Sequence, residues 1–342
     1  MANIRSETDI LGLHRNSSTC SELKVKKEAS KQVGADFGSE VKFSLSASKL
    51  ERFALCPYLV ASTLLFKLDD LEELDLDLDR LTNGKLTHKY FEVLLSEPLK
   101  LERTFDEHLE IIDRCREEIE LSLADERFWS PLRNRFAKLG TRFLNVEREW
   151  RRQFPETRTI GREVGIRGHW SISNRCLSPK KIDDRDIFFR GFIDRIDCDS
   201  HGNLVVIDYK SSGSSYKNYS KWIEANSFQL AMYTEALEQG LVDSIGEHGE
   251  VVGACILNVK EMTREKGFVV KDRGDRLLPP KRGMLVSKDE IGKVLEGIHV
   301  KIEEIVMQMK SGRFQPVPSS DAKKKICGQC NWRSACRATH LL

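Results

Sequence analysis

The sequence has no apolar run near the roughly 20 residues that span a bilayer, so a membrane-embedded chain is excluded and no membrane partner is expected. Its first residues, MANIRSETDILGLHR, carry neither the basic head nor the apolar stretch of a secretory signal, and a cytoplasmic protein is the expectation. A dominant charge of one sign is missing as well: 55 Lys and Arg against 53 Asp and Glu leave +2, which gives no bulk attraction to nucleic acid. Neither G-x-x-x-x-G-K-S/T nor G-x-G-x-x-G occurs, so nucleotide-driven motor work and dinucleotide redox chemistry lack their phosphate cradles. There are no internal repeats and no low-complexity fibre pattern. What is present is 342 residues with 40% hydrophobic content, enough for a sizeable soluble core.

Residues 1–40 are polar and balanced in charge, and read as a flexible lead-in or linker. From 41 to 145 the pattern is helical. Ser48-Lys49-Leu50-Glu51 reads as a capping box, and Pro57 restarts the chain at the head of a second helix. Leu86, Tyr90 and Leu94 give one apolar stripe on a helix over 83–95. Longer amphipathic helices are predicted over 104–124 and 132–148. Between 146 and 210 short apolar bursts alternate with turn signals, the mark of an antiparallel meander. A helix over 222–239, a buried strand Val251–Val259, a charged loop over 261–285 and a helix from a capping box at Ser287 to Lys310 follow. The predicted fold is α/β (α+β): a central mixed sheet flanked by helices over 146–312, with an N-terminal helical lobe and a tail over 313–342.

The chemistry is concentrated in a hairpin. Gly191-Phe-Ile-Asp194-Arg-Ile-Asp197 is followed, after a turn, by Val205-Val-Ile-Asp208-Tyr-Lys210. Strand periodicity puts Asp208 and Lys210 on one side, with Asp194 beside them across the hairpin. Two buried carboxylates a few Å apart repel, and each loses its hydration. A divalent ion removes that cost, and hard oxygen ligands suit Mg²⁺ or Mn²⁺. With a lysine two residues on, the set suits phosphodiester hydrolysis. An ordinary hairpin whose acids pair with Arg195 and Lys210 fits the D-x-K string equally. Downstream, Gln229 and Tyr233 are spaced for one helix face. Upstream, Gly84-Lys-Leu-Thr-His88 sets a histidine on a helix.

In this order, G-x-x-x-H, G-x-x-D-R-x-D, D-x-K and Q-x-x-x-Y resemble the RecB-like branch of the PD-(D/E)XK nuclease superfamily, over Phe43 to Cys336. The resemblance implies a restriction-endonuclease-like fold. It implies His88, Asp194, Asp208 and the Tyr209 carbonyl as metal ligands, Lys210 as the catalytic lysine, and Gln229 and Tyr233 as catalytic-site groups that shape the site and contact DNA. Ile193 stands where the superfamily's name has Pro.

Of the nine cysteines, three are spaced Cys327-x₂-Cys330-x₅-Cys336, a metal signature that needs a fourth ligand. Cys56, at the helix break before Pro57, is the best source. The arrangement is similar to iron-staple nucleases of the AddB and CRISPR-associated types, which implies a 4Fe–4S cluster on Cys56, Cys327, Cys330 and Cys336. Zn²⁺ on the same thiolates, or no metal, are the alternatives. Such a clasp closes a loop of about 270 residues and so acts on stability.

The tail over 313–342 holds six Lys or Arg against one acid. Lys323, Lys324, Trp332, Arg333 and Arg337 are the candidate DNA contacts, with phosphates on the cations and a base on the indole; Arg148, Arg151 and Arg152 could extend the patch. Trp332 covering the cluster fits as well. No element suggests base-edge readout. The reading is a metal-dependent DNA nuclease, an exonuclease on single strands or DNA ends in recombination or repair, with a helicase subunit as partner. A CRISPR-associated nuclease of spacer acquisition is a second reading, and a non-catalytic DNA-end-binding subunit is a third of another class.

Overall fold

A computed structural model describes residues 44–64, 80–121, 126–212, 216–242, 245–246 and 249–312, with positions 314, 327, 330, 332 and 336. The lead-in over 1–40 and the candidate DNA contacts Lys323, Lys324, Arg333 and Arg337 lie outside these residues.

The helices are α1 (Ala47–Leu55), α2 (Pro57–Leu64), α3 (Arg80–Leu94), α4 (Phe105–Glu118), α5 (Trp129–Gln153), α6 (Trp222–Ala225), α7 (Gln229–Glu238) and α8 (Lys288–Lys310). The strands are β1 (Arg158–Ser171), β2 (Cys176–Ser178), β3 (Ile187–Cys198), β4 (Leu204–Lys210), β5 (Val251–Asn258), β6 (Thr263–Val270) and β7 (Leu285–Val286). They form one mixed sheet of seven strands in the order β2-β1-β3-β4-β5-β6-β7, confirming the predicted α/β class.

Local chemistry explains the main elements. Thr104 and Glu107 close a reciprocal capping box at the head of α4, and Ser287 Oγ accepts the Glu290 N–H at 3.2 Å at the head of α8. The expected stripe on α3 is real: Leu86, Tyr90 and Leu94 are all buried. β4 lies between antiparallel β3 and parallel β5. Six of its seven residues are therefore buried, and only Lys210 is half-exposed.

Contacts divide the chain into two compact units. The larger comprises 43–51 and 71–304 and holds the whole sheet; the smaller gathers 52–70 with 305–342. In the smaller unit Phe53 and Phe314 meet edge to face with centroids 5.8 Å apart, and Val60, Ala61, Val306 and Met309 are buried. No described helix is long and apolar enough to cross a membrane.

Four expectations are corrected. Helix α5 runs on to Gln153, past the expected start of the meander, because the buried Glu147 and the half-buried Trp150 and Arg151 on it find partners in the sheet. The helix over 222–239 is broken at Asn226, which adopts the left-handed conformation (φ 49°) and ends α6. The charged stretch 261–285 is not loop alone: β6 pairs with β5, and Arg264 is buried among acids. Finally, the cap of α1 is Ser46, whose Oγ accepts the Lys49 N–H at 3.3 Å. Glu51 serves elsewhere.

Candidate active site

The β3–β4 ladder ends at the pair Arg195–Ile207. One residue further the backbone amide of Tyr209 donates to the Asp194 carboxylate, at 2.5 Å from Oδ2. That bond replaces a ladder rung with a side-chain acceptor and pins a carboxylate beside the end of β4. From α3, His88 Nδ1 lies 3.4 Å from Asp194 Oδ1 and 3.0 Å from Glu163 Oε1. Ligand atoms of His88, Glu163 and Asp194 all fall within 4.8 Å of one another.

Glu163 is the member the sequence reading missed. It sits in β1 between Arg162 and Val164, which pair with Arg195 and Ile193, so it stands opposite Asp194. Its backbone is left-handed (φ 47°), a strained state for a side-chain-bearing residue that tends to persist where function needs it. Nothing in the spacing of the sequence marks such a kink. The imidazole between two acids takes a proton: burial pulls His88 down, but bonds to Asp194 and Glu163 carry it up to about 10.

Asp208 and Lys210 form the second half of the site. Lys210 Nζ is 2.5 Å from Asp208 Oδ2, and Asp208 is fully buried. Neither carboxylate oxygen of Asp208 takes a hydrogen bond of good geometry, so the contact with Lys210 is that of an ion pair. Burial pushes the Asp208 carboxyl up, Lys210 pulls it back, and Asp194 adds to the rise. Among the described residues, the group that fits one hard divalent ion is His88, Glu163 and Asp194; Asp208, an expected ligand, is not within that group and lies beside it, where the charges of Asp194 and His88 act on it. Burial lowers Lys210 too, but Asp208 and Asp194 outweigh it and hold it as ammonium.

Gln229 and Tyr233 do share one face of α7, as their spacing predicts: Gln229 Nε2 donates to Tyr233 Oη at 2.9 Å. Burial raises the Tyr233 hydroxyl, and the negative charge of Asp208 adds to this. Glu51, from α1, accepts the N–H groups of Phe228 and Gln229 at 2.7 and 2.9 Å. It therefore caps α7 from a distant helix, and it lies near enough to Lys210 to feel its charge. A cleft of about 850 Å³ opens on this site. His88, Tyr209 and Lys210 line one part of it, and Arg135, Lys138 and Arg142 of α5 another.

Arg195 and Asp197 of the D-R-x-D string are not in this group of candidate ligands. Arg195 is fully buried, with Nη2 2.7 Å from Glu147 and Nε 2.7 Å from Asp197; they belong to a structural network. The expected arginine patch is likewise committed: Arg148 binds Glu102, Arg152 binds Glu149, and Arg151 reaches the Thr157 carbonyl and Thr159. Trp332 is half-buried.

In the smaller unit, burial pushes the Cys56 thiol up, and negative charge on Cys336 and Cys327 pushes it further. The neighbouring Tyr58 is raised by burial and then by Cys336, Cys330 and Cys56. All four cysteines are free thiols.

The profile of the PD-(D/E)XK nuclease superfamily matches residues 44–337. The chain is 22% identical over 334 residues to the exonuclease/helicase subunit RexB of Lactococcus lactis subsp. cremoris strain MG1363, covering 86% of this chain and 29% of that protein. A subunit of the ATP-dependent helicase/deoxyribonuclease from strain SK11 of the same subspecies is 23% identical over 333 residues with the same coverage. The corresponding protein of Streptococcus mutans is 25% identical over 169 residues, 43% of this chain and 15% of the relative. The chain thus spans less than a third of the length of the curated relatives it matches.

Proposed function

The chain belongs to the PD-(D/E)XK nuclease superfamily, and from that membership and the geometry of its site we propose that it is a metal-dependent deoxyribonuclease acting on single strands or DNA ends. The observation that carries this reading is the convergence of His88, Glu163 and Asp194 beside the Asp208–Lys210 pair. His88, Glu163, Asp194, Asp208 and the Tyr209 carbonyl are the groups that would hold Mg²⁺ or Mn²⁺. The bound ion supplies Lewis-acid polarisation of the phosphoryl group and a more acidic attacking water. The protein's own groups do the rest. Lys210, an ammonium at neutral pH, faces the negative charge that builds on the phosphate. Tyr209 N–H fixes the Asp194 carboxylate. The Gln229–Tyr233 bond keeps a polar wall against Asp208.

The relatives are subunits of helicase–nuclease enzymes by name, which favours a helicase partner for this chain and a role in recombination or repair.

The test is hydrolysis of end-labelled single- and double-stranded DNA with Mg²⁺ or Mn²⁺. Cleavage by wild type and its loss in Asp194→Asn are expected; DNA binding without cleavage would sink the catalytic reading. Metal affinity should climb with pH. His88 carries a proton up to about 10, and a ligand histidine must lose it, so the affinity gains up to about tenfold per pH unit above its ordinary range. A flat profile between about pH 7 and 9 would remove His88 from the ligand set.

The four cysteines are proposed to carry a 4Fe–4S cluster that clasps residue 56 to the C-terminal segment. Support comes from the spacing Cys327-x₂-Cys330-x₅-Cys336 and from the placement of Cys56 in the same compact unit as these three. An anaerobic preparation should be brown with about four irons per chain, and Cys56→Ser should lose iron and thermal stability together. One zinc and no iron would replace the cluster with a tetrahedral site.

A further inference from the structure

The exposed side of the β1–β3 ribbon carries a pattern that the nuclease site does not explain. Along β3, Phe188, Arg190 and Phe192 are exposed while Ile187, Phe189 and Ile193 between them are buried. Along β1, Gly165 and Arg167 are exposed and His169 is half-buried, while Ile166, Gly168 and Trp170 are buried. Register ties the two series together: His169 stands opposite Phe188, Arg167 opposite Arg190, and Gly165 opposite Phe192. The next position in both series is the metal pair, Glu163 and Asp194.

Each step has a physical oddity. Phe192 is 61% exposed and Phe188 is 42% exposed, a large apolar surface for open water. Gly165 offers Phe192 no side chain to lean on; even a Cβ there would sit only 3.8 Å from the ring. His169 meets Phe188 edge to face at 5.7 Å, which steadies the ring and leaves much of it open. Two arginines directly across a strand pair repel each other, and such a pair is relieved by an anion between the guanidinium groups.

Deepening the proposed nuclease function, and resting on it for the identity of the ligand, we infer that this ribbon is a track for single-stranded DNA. Bases stack on Phe192 and Phe188, phosphates pair with Arg167 and Arg190, and the strand is delivered to Asp194 and Glu163. Successive steps on one face are about 7 Å apart, a spacing that an extended strand can follow base by base. Charge complementarity and direct continuity with the metal pair favour this occupant over a protein surface. Duplex DNA hides its base faces and gains only the phosphate contacts.

The test uses the full chain without added divalent ions and a fluorescein-labelled 20-nucleotide oligothymidylate, read by anisotropy, beside a duplex of equal length. Phe192→Ala and Phe188→Ala should each weaken single-strand binding about tenfold and duplex binding far less. The double variant Arg167→Gln, Arg190→Gln should flatten the plot of log affinity against log salt by about 1.4, at about 0.7 per phosphate contact. With Mg²⁺, all three should hydrolyse bis(p-nitrophenyl) phosphate, which is too small to need the track, at the wild-type rate. Unchanged oligothymidylate affinity and salt slope overturn the track, as does equal loss on duplex, or a change in self-association in place of DNA binding. If wild type hydrolyses neither bis(p-nitrophenyl) phosphate nor, with Mg²⁺ added, the oligothymidylate, the metal-site reading fails, while the binding titrations still decide the track.

Discussion

Lys210→Ala is expected to lower the rate of phosphodiester hydrolysis by about 10²–10³-fold, the usual loss when one preorganised charge at the transition state is removed. Lys210 holds its proton because Asp208, 2.5 Å away, and Asp194 outweigh the effect of burial. It therefore acts as a fixed positive charge and not as a proton acceptor near neutral pH. The variant has a second signature. Asp208 is fully buried, is raised by burial and by Asp194, and is held down by Lys210. Without the ammonium its carboxyl rises further and takes up a proton more readily. Metal binding must then expel that proton, so the variant should lose metal affinity at low pH and recover it as pH rises. Lys210→Arg keeps the charge but not the compact ammonium, and should restore metal affinity more fully than rate. A Lys210→Ala protein with wild-type kcat would show that the pair is an ordinary ion pair of a hairpin.

How much of this was legible beforehand follows from the kind of signal each residue leaves. Two placements are legible because strand and helix periods fix which side chains share a face: Lys210 meets Asp208, and the Gln229–Tyr233 bond at 2.9 Å fulfils the i,i+4 spacing. Glu163 was not legible, because its role depends on a left-handed kink inside β1 (φ 47°) that no period encodes. Glu51 was misread for a different reason. Ser48 and Glu51 have the spacing of a local cap, yet the carboxylate reaches 177 residues along the chain to Phe228; a spacing rule sees only the local partner. β6 carries no strand signal in the sequence because Arg264, Glu265 and Lys266 break the apolar alternation. In the fold Arg264 is buried against Glu147 at 2.6 Å, and Lys266 and Gly267 take positive φ at a bulge. Long-range partners thus override local pattern at Glu51 and Arg264, and a backbone kink does so at Glu163.

That same pairing yields the largest stability effect expected. Glu147→Ala should cost about 3–5 kcal/mol and roughly 10 °C in Tm. Glu147 is wholly buried on α5 and accepts from Arg195 at 2.7 Å and from Arg264 at 2.6 Å. Removing it leaves the buried Arg195 with Asp197 and takes from the buried Arg264 the carboxylate it pairs with. Burial raises the Glu147 carboxyl, but Arg195 and Arg264 bring it down to about 2. Its folded value thus lies below the ordinary 4.5, so its contribution is whole above that value and is lost as pH falls toward about 2. The variant's stability deficit against wild type should therefore shrink in acid, measured by thermal melts between about pH 2 and 6. The proposed metal site is the control. Asp194 is sequence neighbour to Arg195, but its carboxylate is held by Tyr209 and His88, not by this network. Held well below its melting temperature, Glu147→Gln should keep metal affinity and hydrolysis near wild type while melting early. If hydrolysis falls in step with stability at a temperature where the variant is fully folded, the network sets the geometry of the Asp194 strand end, and the Arg195 of the D-R-x-D string becomes a positioning residue.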